Sequence, residues 1–117
     1  MLDDMNVIAQ RDGSDALGLA EATPQQLAHR FDVQVTQPSS PIKNIVFAAM
    51  GGSALQAEFV NVYPQLSVPF VIVKDYRLPN FVDESTLVIV SSYSGNTEET
   101  VAALDDAQAR GAKVTVM

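Results

Sequence analysis

The 117-residue chain contains no cysteine, no tryptophan and one histidine. Without cysteine there is no disulfide framework and no thiolate chemistry. No apolar run approaches the ~20 residues needed to span a bilayer as a helix. The start, Met1-Leu2-Asp3-Asp4, lacks the basic residues and apolar stretch of a signal peptide, so a cytoplasmic location fits. Basic residues are scarce as well. Seven Lys and Arg stand against fourteen Asp and Glu, a net charge of −7, and the seven are dispersed with no run among them. Such a chain repels nucleic acid and acidic membranes. Any phosphate-bearing ligand must therefore be held by dipoles and hydroxyls against an unfavourable overall field. That favours a small ligand in a preformed turn over a polyanion on an open surface.

What is present is a globular composition, 47% apolar and 18% charged, of a length that supports one domain with a single core. Residues 2 to 31 read as helical. Leu2, Met5, Ile8 and Ala9 share one face, Asp3 or Asp4 can cap the start, and Asp12-Gly13-Ser14 is a break. Thr23-Pro24 reads as a threonine cap with proline at the first helical position, followed by Leu27, Ala28 and Phe31 as the buried side. His29 reads as a surface helix residue rather than a catalyst. Val33-Gln34-Val35 is expected to be extended, and Gln37 to Pro41 has loop composition, which sets a boundary between a lead-in over 1–41 and a second region over 42–117.

From Ile42 the pattern changes. Apolar strands are expected at Asn44 to Met50, Pro69 to Val73, Thr86 to Ser91 and Lys113 to Met117, with helices over Ala54 to Val62 and Glu98 to Arg110 and a stop at Gly111. Strands that are apolar throughout and alternate with helices predict an α/β fold with a parallel sheet covered on both faces. Asp75 to Ser85 is less regular, a loop or a short helix. Four strands that stop at Met117 predict either a partner covering the sheet or, the favoured expectation, the first part of a longer polypeptide.

Two polar turns follow strands. Met50-Gly51-Gly52-Ser53 has paired glycines that permit positive φ, and Ser53 with Gln56 has capping-box spacing. Ser91-Ser92-Tyr93-Ser94-Gly95-Asn96-Thr97 is rich in hydroxyls and free of lysine and arginine, and Asn96 with Glu99 repeats the capping-box spacing. A hydroxyl-rich turn at a helix start can hold a phosphate through O–H groups, backbone N–H groups and the helix dipole. It can equally be a capped helix and nothing more, with Ser94 and Asn96 as caps. Two such turns at strand ends favour a ligand, because open α/β sheets bind there. Other chemistries lack their motifs. There is no GxGxxG, GxxxxGK[ST] or GxSxG, and the adjacent carboxylates Glu98 and Glu99 point in different directions along a helix.

MGGSAL after the first strand, DYRLP after the second and SSYSGNTEET after the third resemble the sugar isomerase (SIS) domain, most closely that of bifunctional phosphoglucose/phosphomannose isomerases. The resemblance runs from about Ile45 to Met117, and the leading helix around Leu2 to Arg30 fits it too. It implies a flavodoxin-like fold, incomplete here at the C-terminus. It implies that Ser92, Ser94 and Thr97 hold the phosphate of a sugar phosphate while Gly51, Gly52 and Ser53 meet the sugar, with no metal or organic cofactor. The activity implied for the parent protein is interconversion of glucose 6-phosphate or mannose 6-phosphate with fructose 6-phosphate, and a homodimer is compatible with it. Glu98 and Glu99 then stabilise the helix start. Isomerisation needs a base and a ring-opening acid, and the family's arginine, glutamate, histidine and lysine match no position here, so no catalytic residue is expected in this chain and little or no turnover. A phosphosugar-sensing regulatory module is the alternative, although residues 1 to 43, with six acids and three bases, do not resemble a DNA-binding head.

Overall fold

Four short apolar runs become the strands of one parallel sheet: β1 (Asn44–Ala49), β2 (Phe70–Val73), β3 (Thr86–Ser91) and β4 (Lys113–Val116), in spatial order β2-β1-β3-β4. The structure is a computed structural model that describes residues 3–30, 32, 38–62 and 66–117, with the side chain of Leu27 outside the description. The expected extended segment Val33-Gln34-Val35, and Leu2 and Phe31 on the expected helical face, also lie outside the described residues. Two compact units are present, Met1–Thr36 and Gln37–Met117.

In the second unit β1 pairs with β2 on one side and β3 on the other. The chain therefore runs outward from β1 to β2, then returns across β1 to β3. This reversal places the carboxyl ends of β1 and β3 side by side, with Ala49 level with Ser91. Alternate strand residues point to opposite faces, and each face meets one helix. Val46, Ala48, Val88 and Val90 pack with Ala103 and Ala107 of the helix Glu98–Ala109, together with Leu78 and Val82 from the loop after β2. Phe47 and Ala49 pack with Ala54 and Ala57, the latter in the helix Leu55–Val62. β1 and β3, at the centre of the sheet, are buried along most of their length because both faces are covered; β2 and β4, at its edges, are less buried, and Val116 is exposed.

The two helices contact the sheet through alanines. Ala57, Ala103 and Ala107 are all fully buried, and the absence of a long side chain lets the helix backbone lie close to the valines beneath. The helix over 98–109 ends at Gly111, whose φ of +69° is the left-handed conformation that glycine adopts without strain. There the Gly111 N–H donates to the Gln108 carbonyl and the Ala112 N–H to the Ala107 carbonyl, the paired bonds of a Schellman stop. The segment 75–85, expected as a loop or a short helix, is a loop. It is pinned by Asp106 and Arg110: the Asp106 carboxylate accepts from the buried Leu78 N–H at 3.0 Å, and Arg110 donates to the Pro79 carbonyl at 2.8 Å.

The first unit contains three short helices in sequence, α1 (Met5–Arg11), α2 (Ala16–Glu21) and α3 (Thr23–Ala28). The helix over 55–62 is accordingly α4 and that over 98–109 is α5. Asp4 caps α1, accepting from the Asn6 and Val7 N–H groups. Asp12, in the expected break, accepts from Ala16 and Leu17, and these two bonds hold its carboxyl below the usual range. Thr23 is not a cap. It is the first helical residue, preceded by Ala22 in helical backbone, so proline falls one position later than expected. The physical reason is that α2 runs almost directly into α3, leaving Thr23 no extended position from which to cap. Ala28 is exposed rather than buried, and the α1 and α2 helices bury none of their residues. His29 is exposed at the end of α3, in extended backbone.

Candidate functional site

The site is built where the chain order reverses. After β1 the chain makes a 3-10 turn over Gly51–Ala54 before α4, and after β3 the residues Ser92–Thr97 lead into α5. Both turns rise from the same end of the sheet, because Ala49 and Ser91 pair as the last residues of adjacent strands.

In the second turn, three hydroxyls converge. Ser92 Oγ lies 3.1 Å from Thr97 Oγ1 and 3.4 Å from Ser94 Oγ, and Ser94 Oγ lies 3.3 Å from Thr97 Oγ1. The turn closes because Gly95, at φ +77°, reverses the chain and donates its N–H to both the Ser92 carbonyl and Ser92 Oγ. Thr97 is the N-cap of α5, yet its side chain caps no N–H of the first turn, being directed to the two serines instead. The bland alternative, that Ser94 or Asn96 caps the helix, is not what forms. The first-turn N–H groups of a 12-residue helix thus sit beside a cluster of three hydroxyls, and the N-cap side chain does not cap them. Hydroxyls that bond one another retain hydrogens to reorient toward an anion, and the helix start adds its partial positive charge.

The first turn faces this cluster. Gly51 has φ +51°, so one of the paired glycines uses the left-handed region; Gly52 does not. A Cβ at either glycine would meet nothing within 4 Å, which leaves the backbone open to close approach. Ser53 Oγ accepts from the Tyr93 N–H at 3.4 Å, linking the two turns. The capping box expected from Ser53 and Gln56 is absent. Gln56 Nε2 donates to the Ser53 carbonyl at 3.0 Å and to Ser91 Oγ at 2.7 Å. The amide is drawn across the cleft because strand pairing brings Ser91, 35 residues away in sequence, within its reach.

A cleft of about 720 Å³ lies between the turns, lined by Met50, Gly52, Ser53, Gln56, Ser91 and Tyr93, with Met117. Of the expected sugar-facing residues, Ser53 and Gly52 line it and Gly51 does not, while Ser92, Ser94 and Thr97 cluster beside it rather than in its wall. The sequence places Gln56 in a capping box and Ser91 at the head of the second polar turn, but does not show the bond between them, which joins the first turn of α4 to the last residue of β3. Among the described residues that line the cleft, no side chain carries a carboxylate, an imidazole or an amine. Glu98 and Glu99 occupy the first turn of α5, where acidic side chains favour the helix dipole. Their charges, Glu99 foremost, raise the Tyr76 phenol above its usual range. Among the described residues no group of three or more His, Asp or Glu is arranged to hold a metal ion, and no helix is long and apolar enough to cross a membrane.

Comparison with known proteins gives the same architecture a family. The SIS domain profile matches residues 40–117. The chain is 39% identical over 97 residues to a bifunctional phosphoglucose/phosphomannose isomerase of Caldicellulosiruptor bescii, covering 78% of this chain and 29% of that protein. It is 43% identical over 82 residues to the protein of the same name from Aquifex aeolicus, covering 68% and 26%. A crystal structure of a candidate phosphosugar isomerase from Bacillus subtilis superposes with a TM-score of 0.58 at 31% identity, over 68% of this chain and 26% of that one. The chain therefore spans less than a third of the length of these relatives.

Proposed function

The chain belongs to the SIS domain family, and from that premise we propose that its two turns form the phosphosugar-binding part of an aldose–ketose isomerase. The reaction is interconversion of glucose 6-phosphate or mannose 6-phosphate with fructose 6-phosphate. Ser92, Ser94 and Thr97 donate to the phosphate, while Ser53 and the Gly51-Gly52 backbone meet the sugar. The observation that carries this reading is the convergence of three hydroxyls at the start of α5, whose N-cap side chain makes no capping bond. Neutral donors suit a dianion in a chain of net charge −7, where they supply hydrogen bonds without a salt bridge. They also leave the site indifferent to the sugar's configuration at carbon 2, as handling both glucose and mannose phosphates requires.

Proton transfer between carbons 1 and 2 needs a base with a suitably placed pKa. The cleft walls offer hydroxyls, an amide and a phenol, so the proton-moving groups are assigned outside these 117 residues. The reading also takes residues 42–117 as the first part of the SIS domain and 1–41 as its lead-in, acting in the cytoplasm on a small metabolite, with a homodimer as a compatible assembly. Incubated with fructose 6-phosphate in deuterated water, the 117-residue chain is expected to form no glucose 6-phosphate or mannose 6-phosphate and to exchange no carbon-bound hydrogen. Robust product formation would put the base within this chain and overturn that assignment.

A further inference from the structure

Gln56 joins the two turns, and we propose that it is a specificity-determining residue whose carboxamide oxygen accepts a hydrogen bond from a sugar hydroxyl. This rests on the phosphosugar reading above and deepens it. The orientation of the amide is settled by its neighbours. The Ser53 backbone oxygen, 3.0 Å away, is a carbonyl and can only accept, so the amide atom facing it is the nitrogen. The second hydrogen of that nitrogen goes to Ser91 Oγ at 2.7 Å. Both donors are thereby spent within the protein, and Oε1 is left as the acceptor of a side chain that lines the cleft with Gly52 and Ser53.

The strut is anchored at both ends. Ser91 is only 4% exposed at the end of β3, paired with Ala49, and Gln56 stands in the first turn of α4. The amide thus spans Ser53 and Ser91 and, with the bond from the Tyr93 N–H to Ser53 Oγ, helps to set the width of the gap that the sugar must fill. The site divides by chemistry. Around Ser92, Ser94 and Thr97 it offers hydroxyl donors, which match a phosphate dianion. At Gln56 it offers a neutral acceptor, which matches an O–H and would gain nothing from a phosphate oxygen. A ligand with an anion at one end and hydroxyls at the other satisfies both halves; inorganic phosphate satisfies only the first.

The test is calorimetric titration of the 117-residue chain with fructose 6-phosphate and, separately, with inorganic phosphate. Gln56→Ala is expected to weaken fructose 6-phosphate roughly tenfold, the scale of losing a ligand hydrogen bond together with the strut, and to leave inorganic phosphate within about twofold. Gln56→Met, of similar length and still a good helix former, is expected to do the same. Unchanged fructose 6-phosphate affinity in both variants overturns the proposal, as does an equal loss for both ligands, which a merely structural role would produce. Ser94→Ala serves as the reference, weakening both ligands together. A wild-type chain that binds neither ligand refutes the phosphosugar reading itself, and the assignment of Gln56 falls with it.

Discussion

Replacing Ser94 with aspartate is expected to abolish fructose 6-phosphate binding, whereas replacing it with alanine only weakens it. Ser94 Oγ is within 3.4 Å of both Ser92 Oγ and Thr97 Oγ1, so its side chain is part of the hydroxyl cluster and any charge placed there faces the bound phosphate. Losing one hydroxyl donor costs about 1 kcal/mol, a factor of about five in affinity. A carboxylate instead adds like-charge repulsion, about 4 kcal/mol for unit charges 4 Å apart near a protein surface. Solvent screening at this exposed position reduces that figure, but a loss of at least ~100-fold remains. Because Ser94 is exposed and bonded to no backbone group, neither change should move the thermal midpoint appreciably. Wild-type affinity in the Ser94→Asp variant would remove the hydroxyl cluster from the phosphate site.

The second large effect is on stability and comes from Asp106. Its carboxylate accepts from the Leu78 N–H and from Arg110 Nε and Nη2, each at 2.8 to 3.0 Å, and thereby ties the loop after β2 to α5. Asp106→Ala leaves the N–H of buried Leu78 without its acceptor and strips Arg110 of its ion pair, so the loss should be about 2–3 kcal/mol in chemical denaturation. Asp106→Asn keeps the shape and one acceptor and should lose less. The effect should also depend on pH. The hydrogen bond from Arg110, followed by that from the Leu78 N–H, lowers the Asp106 pKa in the folded chain. A depressed folded pKa means that the contribution is fully present above the unfolded value, about 3.9, and is lost as pH falls through the folded value. The gap between wild type and Asp106→Ala should therefore be constant near neutrality and narrow on acidification below about pH 4. A gap that widened in acid would contradict the assignment.

Much of this fold is legible in the residues themselves. Thr86 to Ser91 is an apolar, β-branched run that forms β3 over the expected span, and the glycine after α5 stops the helix where its φ is positive. These features are local, set by backbone sterics and by burial on both sheet faces. The hydroxyl-rich turn was visible for the same reason, since its composition is contiguous in sequence. What the residues alone do not show depends on strand pairing. Gln56 has the spacing of a capping box with Ser53, and in an isolated helix that would be its cheapest bond. Only the register between Ala49 and Ser91 offers it a better acceptor. Thr97 likewise has the residue type of a cap, but the curl of the turn at Gly95 points it at Ser92 and Ser94. Asp106 and Arg110 are four residues apart on one helix, but that they clamp a loop some thirty residues earlier is a tertiary fact.

The most direct test of phosphosugar binding at these two turns is an amide chemical-shift titration of the 117-residue chain with fructose 6-phosphate. Saturable shifts are expected for Ser92 to Thr97 and for Glu98 and Glu99 at the start of α5, with smaller ones at Gly52 and Ser53. Absence of any saturable change between Ser92 and Thr97, or shifts confined to another surface, would contradict it.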